Sequence, residues 1–253
     1  MTAIVIIPAR YYSTRFPGKP LYPLKGEPVI QHVYRNSKLS RLAEDVIVAT
    51  DNEKIYESVV NFGGRAVMTD KEHPSGTDRI AEVASSMDYD IIVNVQGDEP
   101  LIRPEMIDDV ITLLDDKRAS IGTLTKKIED TEEIADHNVV KVVFDKEGFA
   151  LYFSRSPIPF NRDEWKSLFE IRKSKIENRN FYKHVGIYSY RKEVLTSLAN
   201  MVPTELEKIE KLEQLRALEN GMKIKVKETF YETYGVDTLE DIERIEKCLS
   251  TSL

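Results

Sequence analysis

The sequence predicts an α/β protein built on a parallel sheet wound by helices, and three observations carry that prediction. First, short runs rich in β-branched residues at 3–7, 45–50, 65–68 and 91–95 have the length and composition of buried strands. Second, segments with helical signals alternate with them, at 27–39, from Asp51 to the Gly63-Gly64 stop, at 80–86 and at 104–114. Third, charged and hydroxyl residues crowd just past the ends of the first and fourth runs, where open α/β sheets bind their ligands.

The first strand, Ala3-Ile-Val-Ile-Ile7, runs into Pro8-Ala-Arg-Tyr-Tyr-Ser-Thr-Arg-Phe-Pro-Gly-Lys-Pro20. Prolines 8, 17 and 20 and Gly18 forbid a continuing strand. Arg10, Arg15 and Lys19 share this loop, so its ligand is expected to be anionic and to carry several phosphates. The loop contains neither a Walker motif nor the G-x-G-x-x-G fingerprint.

Residues 21–25 read as an extended connector, and 27–39 as a helix with Val29, Ile30 and Val33 inward. Asp51 follows the second strand in a capping position. In His73-Pro-Ser-Gly-Thr-Asp-Arg79, Ser75, Gly76 and Thr77 offer donors at a helix start, which suits an anion or a base edge. A plain Ser/Thr cap with Asp78 in the first turn is the preferred reading of that segment alone. Asp98 and Glu99 end the strand at 91–95, and two readings stay open: a site for a hard cation such as Mg²⁺ bridging phosphates, or a simple turn.

The second half reads differently. Residues 119–125 suggest a strand, 129–133 an acidic cap or turn, and 139–144 with 149–154 a β-hairpin around Asp145-Lys-Glu-Gly148. The polar stretch 157–180, which holds Trp165, reads as an excursion or a partner interface. The strand expected at 181–190 places His184, Tyr188 and Tyr190 on one face. Two helical pieces follow over 203–221, where Glu213-Gln214 interrupts a leucine stripe as a solvated face would. A last strand is expected at 223–226, and Tyr234-Gly-Val-Asp-Thr238 turns into a helix at 239–249, with Thr238 its cap. The sequence contains no internal repeat and no linker long enough to separate independent domains, so 1–253 is expected to form one domain.

Composition excludes several classes. With 253 residues, 41% hydrophobic and 31% charged, the chain is an ordinary globular protein, and no apolar run reaches membrane-span length. A net charge of −7 argues against nucleic-acid binding and sharpens the contrast with the basic loop. The single cysteine, Cys248, excludes an intrachain disulfide, and Met1-Thr-Ala leads straight into the first strand, so a cytoplasmic location is the default expectation.

Seven blocks occur in order: Pro-Ala-Arg-x-x-Ser-Thr-Arg-x-Pro-Gly-Lys-Pro-Leu (8–21), Val-Ala-Thr-Asp (48–51), His-x-Ser-Gly-Thr-Asp-Arg (73–79), Asn-Val-Gln-Gly-Asp-Glu-Pro (94–100), Phe-x-Lys-His-Val-Gly-Ile-Tyr (181–188), Leu-Glu-Gln-Leu-Arg (212–216) and Gly-Val-Asp-Thr (235–238). Together they resemble the 3-deoxy-manno-octulosonate cytidylyltransferase (CMP-KDO synthetase) family, over nearly the whole chain. The first and fourth blocks are shared more loosely with CMP-sialate synthetases; the fifth and sixth point to KDO. Tyr12 and Phe16 stand where the family often has smaller or aliphatic residues.

The resemblance implies a Rossmann-like mixed, mostly parallel sheet flanked by helices, with a smaller β-rich dimerisation and substrate subdomain at about 130–200. It implies joining of CTP and KDO to give CMP-KDO and diphosphate for lipopolysaccharide biosynthesis, a Mg²⁺ cofactor and a homodimer. By position, Arg10, Ser13, Arg15 and Lys19 would hold the CTP phosphates, with Arg10, Lys19 and Asp98 the catalytic set. Thr50, Asp51, Ser75, Gly76, Arg79 and Gln96 would line the cytidine pocket. Asp98 and Asp237 would ligate the metal, and Arg155, His184, Tyr188, Glu213 and Gln214 would bind KDO. The resemblance promotes Asp237 from a helix-turn residue, and Glu213-Gln214 from a solvated face, to functional positions. A cytidylyltransferase for another sugar acid such as sialate, or a non-catalytic nucleotide-binding regulator, is the alternative.

Overall fold

Ile4 and Ile6 point to one side of the first strand (Ala3–Ala9) and Val5 and Ile7 to the other, and all four are wholly buried. Such a strand needs partners on both edges and cover on both faces, which is what a central position in an α/β sheet supplies. Each fully buried side chain of this kind contributes ~1.5–3 kcal/mol relative to an exposed one. In the computed structural model, which describes residues 1–12, 16–163, 165 and 180–251, this strand pairs in parallel with Asp45–Thr50 on one side and Ile91–Asn94 on the other. Ala66–Met68 continues the sheet beyond Asp45–Thr50. The end of the strand Tyr182–Arg191 adds an antiparallel neighbour, with Tyr188 opposite Asn94. The sheet is therefore mixed and mostly parallel, with helices on its crossovers.

The chain divides into two units. The first takes in 1–112, 187–199 and 232–253, and the second 113–186 and 200–231. In the first unit the helices Val29–Ser37, Glu53–Asn61, Gly76–Ser85 and Pro104–Leu113 follow successive strands. A cluster of Leu24, Val29, Val236, Ile242 and Ile245, with Phe16 and Tyr22 against it, seats the C-terminal helix Leu239–Thr251 beside the end of the first loop. In the second unit Ile121–Lys127 runs parallel to Ile224–Glu228, and Lys141–Phe144 and Ala150–Ser154 form the expected hairpin. Trp165 stacks on Phe181 in a separate cluster with Ile128 and Ile134.

Several local expectations need correction. Asn52, not Asp51, caps the second helix, accepting from the backbone N–H of Lys54 and Ile55. The helix expected at 80–86 begins at Gly76, behind a Ser75–Asp78 capping box. The connector at 21–25 is instead a one-turn 3₁₀ helix (Lys19–Leu21) and a short ladder of Pro23–Leu24 with Glu27–Pro28, which delays the first helix to Val29. Gln214 is buried, so it is not part of a solvated face.

Candidate active site

Five segments of the first unit bring chemistry to the carboxyl edge of its parallel strands. Arg10 follows the first strand, Thr50 and Asp51 end the second, and Gln96 and Asp98 follow Ile91–Asn94. Ser75 and Gly76 start the helix beside them. Asp237 precedes the C-terminal helix, where its backbone N–H and that of Thr238 donate to Asp241, each at 3.0 Å. Close backbone approach makes this convergence possible. A Cβ on Gly97 would stand 2.8 Å from the carbonyl oxygen of Pro8, and the Val236 N–H donates to the Asp98 carbonyl at 2.9 Å.

Lys19 is the centre of the arrangement. Gly18 adopts φ 76°, a left-handed turn that favours glycine, and delivers Lys19 at the start of the 3₁₀ helix. The Lys19 ammonium donates to Asp98 and, at 3.2 Å, to Oδ1 of Asp237. Burial opposes its charge, but pairing with Asp98 and then Asp237 outweighs that and raises its pKa. Next to Asp98, Glu99 buries Oε2 without a hydrogen-bond partner, and burial followed by the Asp98 charge pushes its pKa up to about 8.

Several of the predicted nucleotide residues are tied down by hydrogen bonds. Arg10 Nη2 donates to the His73 carbonyl at 3.0 Å, which aims the guanidinium along the loop before Ser75. Arg79 is wholly buried; it donates to Asp51 Oδ2 at 2.7 Å and to Thr69, while its Nε has no partner. Burial lowers its pKa and Asp51 offsets part of the loss. Gln96 Nε2 donates to Asn94 Oδ1 at 3.3 Å. Ser13 and Arg15 lie outside the described residues, as does most of 157–180.

Of the residues expected to bind the sugar acid, Tyr188 belongs to the first unit and the other four to the second. Within the second unit, three of these surround the strand Ala150–Ser154. Arg155 ends it, the short helix Gln214–Glu219 lies against it, and His184 meets Phe153 edge-on at 5.1 Å. Arg155 Nε donates to the Glu210 carbonyl at 2.7 Å and Nη1 to the His137 carbonyl at 3.0 Å. A guanidinium has five N–H donors, so these bonds orient it without exhausting it. Gln214 Nε2 is buried with no hydrogen-bond partner. Thr123 donates to the Val185 carbonyl and His184 Nε2 lies 2.9 Å from the same hydroxyl; burial lowers the His184 pKa to about 3, so the ring is neutral.

Sequence reasoning did not identify Thr69, the His73 carbonyl or the Asn94 amide as supports of the site. Thr69 follows the strand Ala66–Met68, and Asn94 ends Ile91–Asn94 and opens the 94–100 block.

A basic turn and two carboxylates at the carboxyl edge of a mixed α/β sheet, with a capped helix start beside them, form the kind of site at which α/β proteins hold nucleotides and other phosphate ligands. The family model for cytidylyltransferases matches residues 4–224. The chain is 52% identical to the 3-deoxy-manno-octulosonate cytidylyltransferase of Thermodesulfovibrio yellowstonii and 53% identical to that of Geobacter sulfurreducens, covering 99% and 97% of this chain and 99% and 98% of theirs. A solved structure of CMP:2-keto-3-deoxy-manno-octonic acid synthetase complexed with CTP superposes with TM-score 0.91 at 40% identity over the full length of both chains. The chain belongs to the 3-deoxy-manno-octulosonate cytidylyltransferase family.

Proposed function

We propose that this protein transfers the cytidylyl group of CTP to the C2 hydroxyl of KDO, releasing diphosphate and activating KDO for lipopolysaccharide assembly. The observation that carries the reading is the convergence of Lys19, Asp98 and Asp237 at the strand ends. In-line attack of the hydroxyl oxygen on the α-phosphorus forms one P–O bond as the bond to diphosphate breaks, so the protein's work is positioning and charge neutralisation. Arg10 and Lys19, with Ser13 and Arg15, hold the triphosphate. Thr50, Ser75, Gly76 and Gln96 line the cytidine pocket, and Arg79 keeps Asp51 in place there.

Asp98 and Asp237 fit a Mg²⁺ site. Both reach the same ammonium. A pair of carboxylates completed by substrate phosphates and water is the usual Mg²⁺ donor set. When bound, the ion supplies charge neutralisation and polarises the phosphate. Lys19, beside these carboxylates, would supply positive charge to the triphosphate.

Within the second unit, Arg155 binds the KDO carboxylate, and Glu213, Gln214 and the neutral His184 bind its hydroxyls. The buried donor of Gln214 supports this assignment. We also propose, from the family resemblance alone, that the enzyme works in the cytoplasm as a homodimer. No helix among the described residues is long and apolar enough to cross a membrane.

Diphosphate release from CTP and Mg²⁺, measured against a panel of sugar acids, tests the reading. KDO-dependent release is expected. Preference for sialate would move the protein to the neighbouring specificity, and no release with any acid would leave a nucleotide-binding regulator.

A further inference from the structure

Lys141 is a wholly buried lysine on the hairpin strand Lys141–Phe144. Its ammonium donates to three backbone carbonyls, those of Asp136 at 2.7 Å, Val139 at 2.5 Å and Arg155 at 2.7 Å. Three acceptors use all three hydrogens of an ammonium, whereas a neutral amine has only two to give. Burial lowers the pKa to about 8, which leaves the ammonium form dominant at neutral pH. An apolar side chain would fill this space without the cost of desolvating a charge, so packing does not account for a lysine here.

The three carbonyls show what the charge achieves. Two belong to the loop before the strand, and the third is Arg155 itself. Arg155 Nη1 reaches His137, inside the loop that Lys141 pins at Asp136 and Val139. Its backbone N–H donates to Glu210 Oε2 at 2.9 Å. Lys141 thus holds both the main chain of Arg155 and, on either side of His137, the loop whose carbonyl orients the Arg155 guanidinium.

We propose that Lys141 is a positioning residue for the sugar acid, fixing Arg155 through its own carbonyl and through the 136–139 loop. This rests on the reading that Arg155 binds the KDO carboxylate.

Steady-state kinetics of the full chain and the variants Lys141→Met, Arg155→Met and the double variant test it. Lys141→Met is expected to raise KM for KDO about tenfold, in line with loss of charge-assisted hydrogen bonds. KM for CTP is expected to stay unchanged. Because both residues act on one contact, the double variant should bind KDO within about twofold of Arg155→Met alone. A KM for KDO raised by Arg155→Met and untouched by Lys141→Met would overturn the Lys141 role while leaving the Arg155 reading in place. A KM for KDO unmoved by Arg155→Met would remove that reading and the proposal with it. Equal rises in KM for both substrates, or fully additive effects in the double variant, would reduce Lys141 to a fold-stabilising residue and overturn the proposal. Should Lys141→Met not fold, Lys141→Gln, which keeps two N–H donors, carries the same comparison.

Discussion

Lys19 is held by two carboxylates from distant parts of the chain, Asp98 and Asp237. Replacing it by methionine removes the positive charge that meets the triphosphate, and kcat is expected to fall about 10²–10³-fold, as with other preorganised charge-stabilising groups. An activity within threefold of the parent would show that Lys19 only balances the carboxylates. Asp98→Asn should abolish turnover while CTP binding, followed by titration calorimetry, survives. Retained full activity would sink the metal assignment. At this scale the sequence displayed the cations and Asp98 openly, because they sit in one loop or just past a buried strand. Asp237 was not legible from its local pattern, a turn ahead of the helix at Leu239; the resemblance of its block named it, and the fold brings it to Lys19.

At the scale of elements, the site depends on how closely strand ends and turns approach. Gly97→Ala would drive a Cβ against the Pro8 carbonyl, and overpacking of that kind costs about 1–3 kcal/mol. At roughly 2–4 °C per kcal/mol for a chain of this size, thermal unfolding should begin several degrees earlier. An unchanged melting temperature would show that the two segments separate freely. His184 gives the second unit a pH signature. Its folded pKa, about 3, lies below its unfolded value, so the unfolded chain takes up protons first as the pH drops. The stability of the parent relative to His184→Asn should therefore be complete above about pH 6.5 and decline as pH falls toward 3. A pH-independent difference would mean that the ring is solvated. The parallel strands were legible as β-branched runs, and the hairpin from its Gly148 turn. The cap at Asn52 was not, because Asp51 and Asn52 are equally good cap residues and only the buried Arg79 decides which one turns away. Gln214 in its leucine stripe looks solvated from the local pattern alone; the resemblance promoted it to a functional position, and it is buried.

For the whole molecule, the mixed sheet and the family were readable from seven short blocks spread along the chain; no linker marks the two units 1–112, 187–199 and 232–253, and 113–186 and 200–231, and only the resemblance pointed to a smaller part at about 130–200. Sedimentation equilibrium is expected to give twice the chain mass, and a monomer at all accessible concentrations would remove the homodimer from the account. The central claim is that the C2 oxygen of KDO becomes bonded to the α-phosphorus of CTP. With KDO carrying ¹³C at C2, CTP and Mg²⁺, the C2 resonance should be replaced by a phosphorus-coupled doublet, formed in equal amount with diphosphate. An uncoupled C2 resonance after CTP has been consumed, or no consumption of CTP at all, would contradict it.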